Sequence, residues 1–401
     1  MRTAIAIGSL CFATFVHAAT LPGFAVQPVG ASIGFLTSIV TDSRGVIYYT
    51  TTAGDVVRFN DGQSTVVAHV NTNPVGNSGL LGMALRDDNT AIVHYTTPLQ
   101  TYDVISSIDL RTGTETPVHA FVDNILDPEF GAGDEHHGGN PIVAYDGSIF
   151  VAIGDGGNAN LAPLADWNLG KVFRILPDGR IDQFARGVRN PFDLSWDAAK
   201  QQLIVPDNGD VLDDEINIAH DGDDLGWPYT MGNEPAVAGK APPVYVFPVI
   251  VAPTGIVALS GRNAMLAHGY VLAAFVTKAL YYIENIDAPA PIAIIQKETD
   301  PIVDVTESPN GTIYFATGHA IDRLVVPQRG DCNGDGVVNS DDMTALLAEI
   351  ADGGPHPATD AQNGAYRGSW GCDVNGDGII DASDIHGLRT MLFPRARSVR
   401  H

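Results

Sequence analysis

The chain has 401 residues, with 47 acidic against 22 basic side chains and a formal net charge of −25. That length exceeds one ordinary core and calls for a large domain plus a smaller one. The acidic excess argues against nucleic acid or an anionic membrane surface as partner, since both would repel it.

In chain order, residues 1–19 read as a signal peptide. Arg2 gives the positive n-region, Ala4–Phe15 the short apolar stretch and Val16-His17-Ala18 a small-residue cleavage site. The apolar stretch is too short to span a bilayer, and Leu10 before Cys11 is not the small residue a lipid anchor needs. The expectation is a secreted protein, periplasmic or extracellular. Two cysteines then remain, Cys332 and Cys372; export permits a disulfide between them, and two free thiols are the other possibility.

From residue 20 to 328 short β-rich runs alternate with Gly, Asp, Asn and Pro, with no long amphipathic helix among them. A unit recurs. Ile39-Val-Thr-Asp-Ser-Arg-Gly-Val-Ile-Tyr-Tyr-Thr matches Val305-Thr-Glu-Ser-Pro-Asn-Gly-Thr-Ile-Tyr-Phe-Ala, and similar units start near Leu81, Pro141, Phe192 and Pro253. Six units of about 50 residues predict an all-β six-bladed β-propeller, because a four-stranded blade needs about 40–50. A two-sheet sandwich would not produce this repeat.

After Pro327 the texture changes to a small module, 329–394, ending in a basic tail at 395–401. Asp331, Asn333, Asp335, Val337, Asn339 and Asp342 occupy positions 1, 3, 5, 7, 9 and 12 of one loop, with Gly336 at position 6. Asp373, Asn375, Asp377, Ile379, Asp381 and Asp384 repeat the frame. Ca²⁺ takes six to eight hard oxygens, and such a loop supplies them from side chains and the position-7 carbonyl. Short helical patterns follow at Met343–Ile350 and Ile385–Leu392.

Asp rather than Glu at position 12 makes this paired loop–helix region resemble a type I dockerin. The resemblance implies Ca²⁺ in both loops and a cohesin-like partner read through Ser340-Asp341 and Ala382-Ser383. A calcium-stabilised attachment module without a cohesin stays open beside it.

Nine segments in order resemble the glucose/sorbosone dehydrogenase family, which includes aldose dehydrogenases that use pyrroloquinoline quinone (PQQ). They include Gly79-Leu-Leu-Gly-Met-Ala, His136-His-Gly-Gly, Ile153-Gly-Asp-Gly-Gly, Gly187-Val-Arg-Asn-Pro-Phe, Asp213-Asp-Glu-Ile-Asn and Leu225-Gly-Trp-Pro. The resemblance implies oxidation of a sugar at its C1 hydroxyl, with His136 as base, Asp155 orienting it and Arg189 stabilising charge on the quinone. Asn190 would contact the cofactor, and Gly209 and Asp210 would supply oxygens to a Ca²⁺ that holds it.

Other positions depart from the PQQ pattern. Asn77 stands where a glutamine is expected. Val276 stands where a lysine is expected, with Lys278 two residues on as a possible substitute. Pro301 and Val303 stand where two arginines are expected. A non-catalytic propeller that binds carbohydrate or protein is therefore the alternative expectation. Either suits polysaccharide catabolism outside the cell.

Overall fold

The computed structural model describes residues 24–99, 101–122, 135–164, 166–197, 200–263, 266, 268–295, 300–325, 328–334, 337–358 and 369–394. The expected signal peptide and basic tail lie outside them. The architecture is a six-bladed propeller followed by two short helices. Blades 1 to 5 are antiparallel sheets running in chain order over Leu36–His69, Leu80–Val122, Ile142–Arg186, Ser195–Val246 and Pro253–Ile295. Each of these sheets has four strands paired in chain order, and blade 3 gains a fifth, Asp223–Asp224, which lies between the third and fourth strands of blade 4 in sequence and pairs parallel to blade 3's outer edge.

Blade 6 is composite. Its three inner strands span Ile302–Val325, and its outer strand is Ala25–Ala31 from the other end of the propeller, paired from Ala25 opposite Val325 to Ala31 opposite Ala320. This closure, which the repeat pattern did not reveal, covers an edge that would otherwise expose unpaired backbone groups. Six apolar clusters fill the six seams between neighbouring blades, so every sheet buries both faces. That explains the near-continuous apolar runs such as Ile149–Ile153, buried throughout.

The innermost strands share one irregularity. Register shifts fall between Leu36 and Ser38, Leu80 and Gly82, Pro253 and Gly255, and Ile302 and Asp304. Each bulge leaves one unpaired residue, Thr37, Leu81, Thr254 or Val303, and all four line a single cavity at one mouth of the channel. The residues that follow form the next layer inward. A side chain on Gly255 would meet Asp304, and one on Gly82 would collide with Asn140, so glycine makes room for both.

Two buried carboxylates stitch this layer. Asp304 Oδ2 accepts from the Ile39 amide at 2.7 Å, joining blade 6 to blade 1. Asp193 Oδ2 accepts from the Ile256 amide at 2.6 Å, joining blade 4 to blade 5. Burial pushes the Asp304 carboxyl up to about 7. Burial, and then repulsion from Asp304, raise Asp193 well above the carboxylate range. A raised acid binds its proton more tightly when folded, so its stabilising contribution is complete below the unfolded value near 4 and is lost as pH rises through about 7. The calorimetric melting temperature of the propeller should therefore fall between about pH 5 and about pH 8, and Asp193→Asn should flatten that slope. A wild-type melting temperature that climbs across this window would contradict the assignment.

Candidate active site at the propeller mouth

His136 is held in a left-handed conformation, φ 58°, in a loop pressed against its neighbours. A side chain on Gly139 would collide with the Phe192 carbonyl, and one on Gly154 with the His136 carbonyl. The two glycine-containing motifs therefore exist to bring this loop against the end of Ile149–Ile153. There His136 Nδ1 lies 2.6 Å from Asp155 Oδ1, with the imidazole about nine-tenths buried. Asp155 is fixed in turn: Oδ1 accepts from the Gly157 amide at 2.9 Å, and Oδ2 from Trp227 Nε1 at 2.9 Å. Asp155 leaves Nδ1 as the protonated nitrogen, and Nε2 makes no hydrogen bond among the described residues.

The Arg189 guanidinium sits 5.6 Å from the centre of the Trp227 ring, and the Arg189 carbonyl accepts from the Asp155 amide at 2.8 Å. His136, Asp155 and Arg189 are thus joined through Trp227, a residue in a quoted motif to which the sequence reading gave no role. Arg189 Nη1 donates to the carbonyls of Asn208 at 3.1 Å and Gly209 at 3.0 Å, and Nη2 to the Asp210 carboxylate at 3.4 Å. The Gly209 oxygen expected to face Ca²⁺ here faces a guanidinium. Beneath this turn the Asp207 carboxylate accepts from the Arg189 and Asn190 amides at 2.8 and 2.7 Å. Burial and repulsion from Glu215 push Asp207 up to about 7.

His137 turns the other way. Its Nδ1 lies 3.4 Å from Asp103 Oδ2, while Asp103 Oδ1 is 3.0 Å from His94 Nε2 and His94 Nδ1 donates to the Gly139 carbonyl at 2.8 Å. Against the opposing effect of burial, the two histidines hold the Asp103 carboxyl well below its usual range. This buried bridge pins the loop that carries His136. Neither His94 nor Asp103 stands out in sequence, because each looks like an ordinary strand residue.

The mouth cavity has a volume of about 500 Å³. Asn77, Asn190 and Asn208 line it with the four bulge residues and the rings of Phe35 and Phe275. Lys278 does not line it, and no described lining residue is charged.

In the C-terminal module Asn339 caps helix α1 (Ser340–Ala351) and Asp381 caps α2 (Ala382–Leu392), each in a capping box with Asp342 or Asp384 three residues on. In the second loop Asp373 accepts from the Gly376 and Gly378 amides, Asn375 from Asp377, and Asp377 from Ile379. The side chains at positions 1, 3 and 5 therefore curl inward. In the first loop Asp342 spans back to the Asn333 amide at 3.2 Å; Asp335 and Gly336 lie outside the described residues. Cys332 and Cys372 are joined as a buried disulfide, Cα atoms 4.4 Å apart, in the module's apolar core. The oxygens of the second loop are of the hard kind Ca²⁺ takes, while no group of three or more His, Cys, Asp or Glu side chains among the described residues is already gathered to hold a metal ion.

Residues 35–326 match the family model for glucose/sorbosone dehydrogenase, and residues 329–392 that for the dockerin type I domain. The chain belongs to the glucose/sorbosone dehydrogenase family. An uncharacterised protein of Synechocystis is 25% identical over 226 residues, 46% of this chain and 54% of that protein. The aldose sugar dehydrogenase of Escherichia coli is 27% identical over 115 residues, 25% of this chain and 31% of the relative. The chain thus spans about half and a third of the lengths of these curated relatives. Among solved structures, the PQQ-bound aldose sugar dehydrogenase of Streptomyces coelicolor shares the fold with a TM-score of 0.65 at 21% identity, covering 76% of this chain and 99% of that one. The apo form of the Escherichia coli aldose sugar dehydrogenase gives 0.65 at 18%, covering 76% and 99%.

PQQ carries three carboxylates, and the mouth cavity offers them no cation. Charge-assisted hydrogen bonds contribute about 1.5–3 kcal/mol each, and burying unpaired carboxylates is costly. The described lining of this cavity does not fit that cofactor.

Removing Ca²⁺ with a chelator should reduce the helical far-UV signal and lower the module's melting transition while leaving the propeller's in place. Asp373→Ala should weaken Ca²⁺ binding by about tenfold or more in calorimetric titration, since ligand charge sets affinity.

Proposed function

We propose that this chain is an exported, saccharide-directed member of its family that holds a sugar at the propeller mouth with a hydroxyl against His136, while its Ca²⁺-loaded C-terminal module attaches it to a cohesin-like partner. One observation carries the sugar reading: the 2.6 Å contact between His136 Nδ1 and Asp155, which leaves Nε2 as a lone-pair acceptor. An imidazole with its tautomer fixed by a carboxylate, which Trp227 fixes in turn, is suited to accept a hydrogen bond from a sugar hydroxyl. The dockerin match and the exported-type leader support work outside the cytoplasm, where a tether keeps a sugar-binding propeller near its polysaccharide.

A second reading is oxidation of an aldose at C1 with PQQ and Ca²⁺, as the names of the relatives suggest. The same dyad favours it, together with Asn190 in the cavity wall. The uncharged lining and the commitment of Arg189 to Gly209 oppose it.

Mature protein with Ca²⁺ should be titrated with PQQ, then assayed on aldoses with an artificial electron acceptor. The expected result is saccharide binding without a PQQ spectral change and without acceptor reduction. Saturable PQQ binding at about micromolar concentration with aldose turnover would replace the first reading by the second. His136→Gln should weaken saccharide binding about threefold to tenfold, the loss of one hydrogen bond.

A further inference from the structure

We propose that the mouth cavity is a subsite for an uncharged pyranose unit, so that the protein accepts neutral saccharides and rejects those bearing carboxylates, an inference that rests on the saccharide reading above. The cavity is an anomaly in this molecule. A chain of net charge −25 has built a pocket of about 500 Å³ with no charged group in its described lining. Amides, hydroxyls and aromatic rings line it together with aliphatic side chains such as Leu36, Leu81 and Val303. That set matches a sugar, which presents hydroxyls at its edge and C–H bonds on its faces.

The polar groups are arranged to meet hydroxyls, each of which both donates and accepts. The side-chain amides of Asn77 and Asn190 are in no hydrogen bond among the described residues, so each offers a donor and an acceptor. Asn208 spends its donors on the carbonyls of Asn190 at 2.8 Å and Pro253 at 3.1 Å, which turns its oxygen into a fixed acceptor. Thr254 spends its hydroxyl proton on the Ile302 carbonyl at 2.9 Å and is likewise an acceptor only.

Apolar groups occupy both the buried wall, as with Leu36, Leu81 and Val303, and the rim. Phe275 lines the cavity and is 38% exposed, and its amide and that of Val276 bond the carbonyls of Ala252 and Val251. Val276, Val249 and Ile250 are exposed beside it. A contiguous apolar lip on so acidic a protein marks a contact surface. It suits the C–H face of a pyranose ring.

Charge decides against anions. Arg189, next in sequence to the lining Asn190, is held by two carbonyls and Asp210. Asp304 lies one residue inward from Val303 in the channel, and Asp207 underlies the Asn190 turn. A carboxylate entering the cavity would lose hydration and gain no counter-charge from the described lining.

The test uses the mature full-length chain with Ca²⁺ and isothermal titration with neutral gluco-, manno- and galacto-oligosaccharides, and with oligogalacturonate of equal length. Neutral ligands should bind at least about tenfold more tightly than oligogalacturonate, a gap of about 1.4 kcal/mol. Phe275→Lys and Asn77→Lys, both at exposed positions and each placing a cation at the cavity, should narrow that gap. Equal affinity for galacturonate and neutral ligands in the wild type would overturn the inference and leave the saccharide reading standing. Failure of every saccharide to bind would overturn both. A gap unchanged in both lysine variants would show that discrimination arises elsewhere, and would overturn the assignment to this cavity.

Discussion

Six sheets converging on one axis bring polar backbone into a space too narrow for bulk water, and the structure meets this with carboxylates. Asp193 and Asp304 each reach across a seam and accept an amide from the next blade. Burying two acids so close together is unfavourable unless protons or donors are shared. What they provide is registration: blade 4 is locked to blade 5, and blade 6 to blade 1, at a depth fixed by the bulges. Because four innermost strands bulge one residue earlier, four side chains are turned outward as cavity wall. The floor of the site and the lock of the channel are adjacent layers of one construction.

The loops that carry His136 and Arg189 use the same device. Asp207 holds the Arg189-Asn190 turn by two amides, Asp214 holds the Val251-Ala252 turn by two amides, and Asp103 anchors the loop bearing His136 through His137 and His94. Loops that would otherwise be free to move are pinned by buried acids rather than by apolar packing. The protein is acidic on its surface, and it is also acidic where it is most rigid.

Much of this was legible in the sequence, and the reason differs from part to part. Repeats such as Ile39–Thr50 and Val305–Ala316 record a blade because all of a blade's strand contacts are local. The dockerin module is legible because its loop pattern lies in two short segments. His136 and Asp155 could be named because glycines flank them where backbones meet. The closing strand Ala25–Ala31 was not legible, since its partner is at the far end of the propeller and its own pattern resembles any other strand. Trp227 was quoted without a role because its partner, Asp155, lies in another blade. Arg189 was expected to face a quinone; its actual partners, the carbonyls of Asn208 and Gly209, carry no sequence signature. The uncharged cavity was foreshadowed by Asn77, Val276, Pro301 and Val303, but only folding brings Asn77 and Val303 to one wall.

The composite sixth blade has a mechanical consequence. The polypeptide leaves the propeller toward the dockerin module from Val325, the end of a strand that is not at a sheet edge. Ala320–Val325 has Ile313–Thr317 on one side and Ala25–Ala31 on the other, antiparallel to both. Tension on the module therefore draws this strand along its own axis and loads two hydrogen-bond ladders in shear, many bonds at once. An edge strand would instead open one bond after another, like a zip. The same pairing that closes the ring makes this seam resistant to pulling.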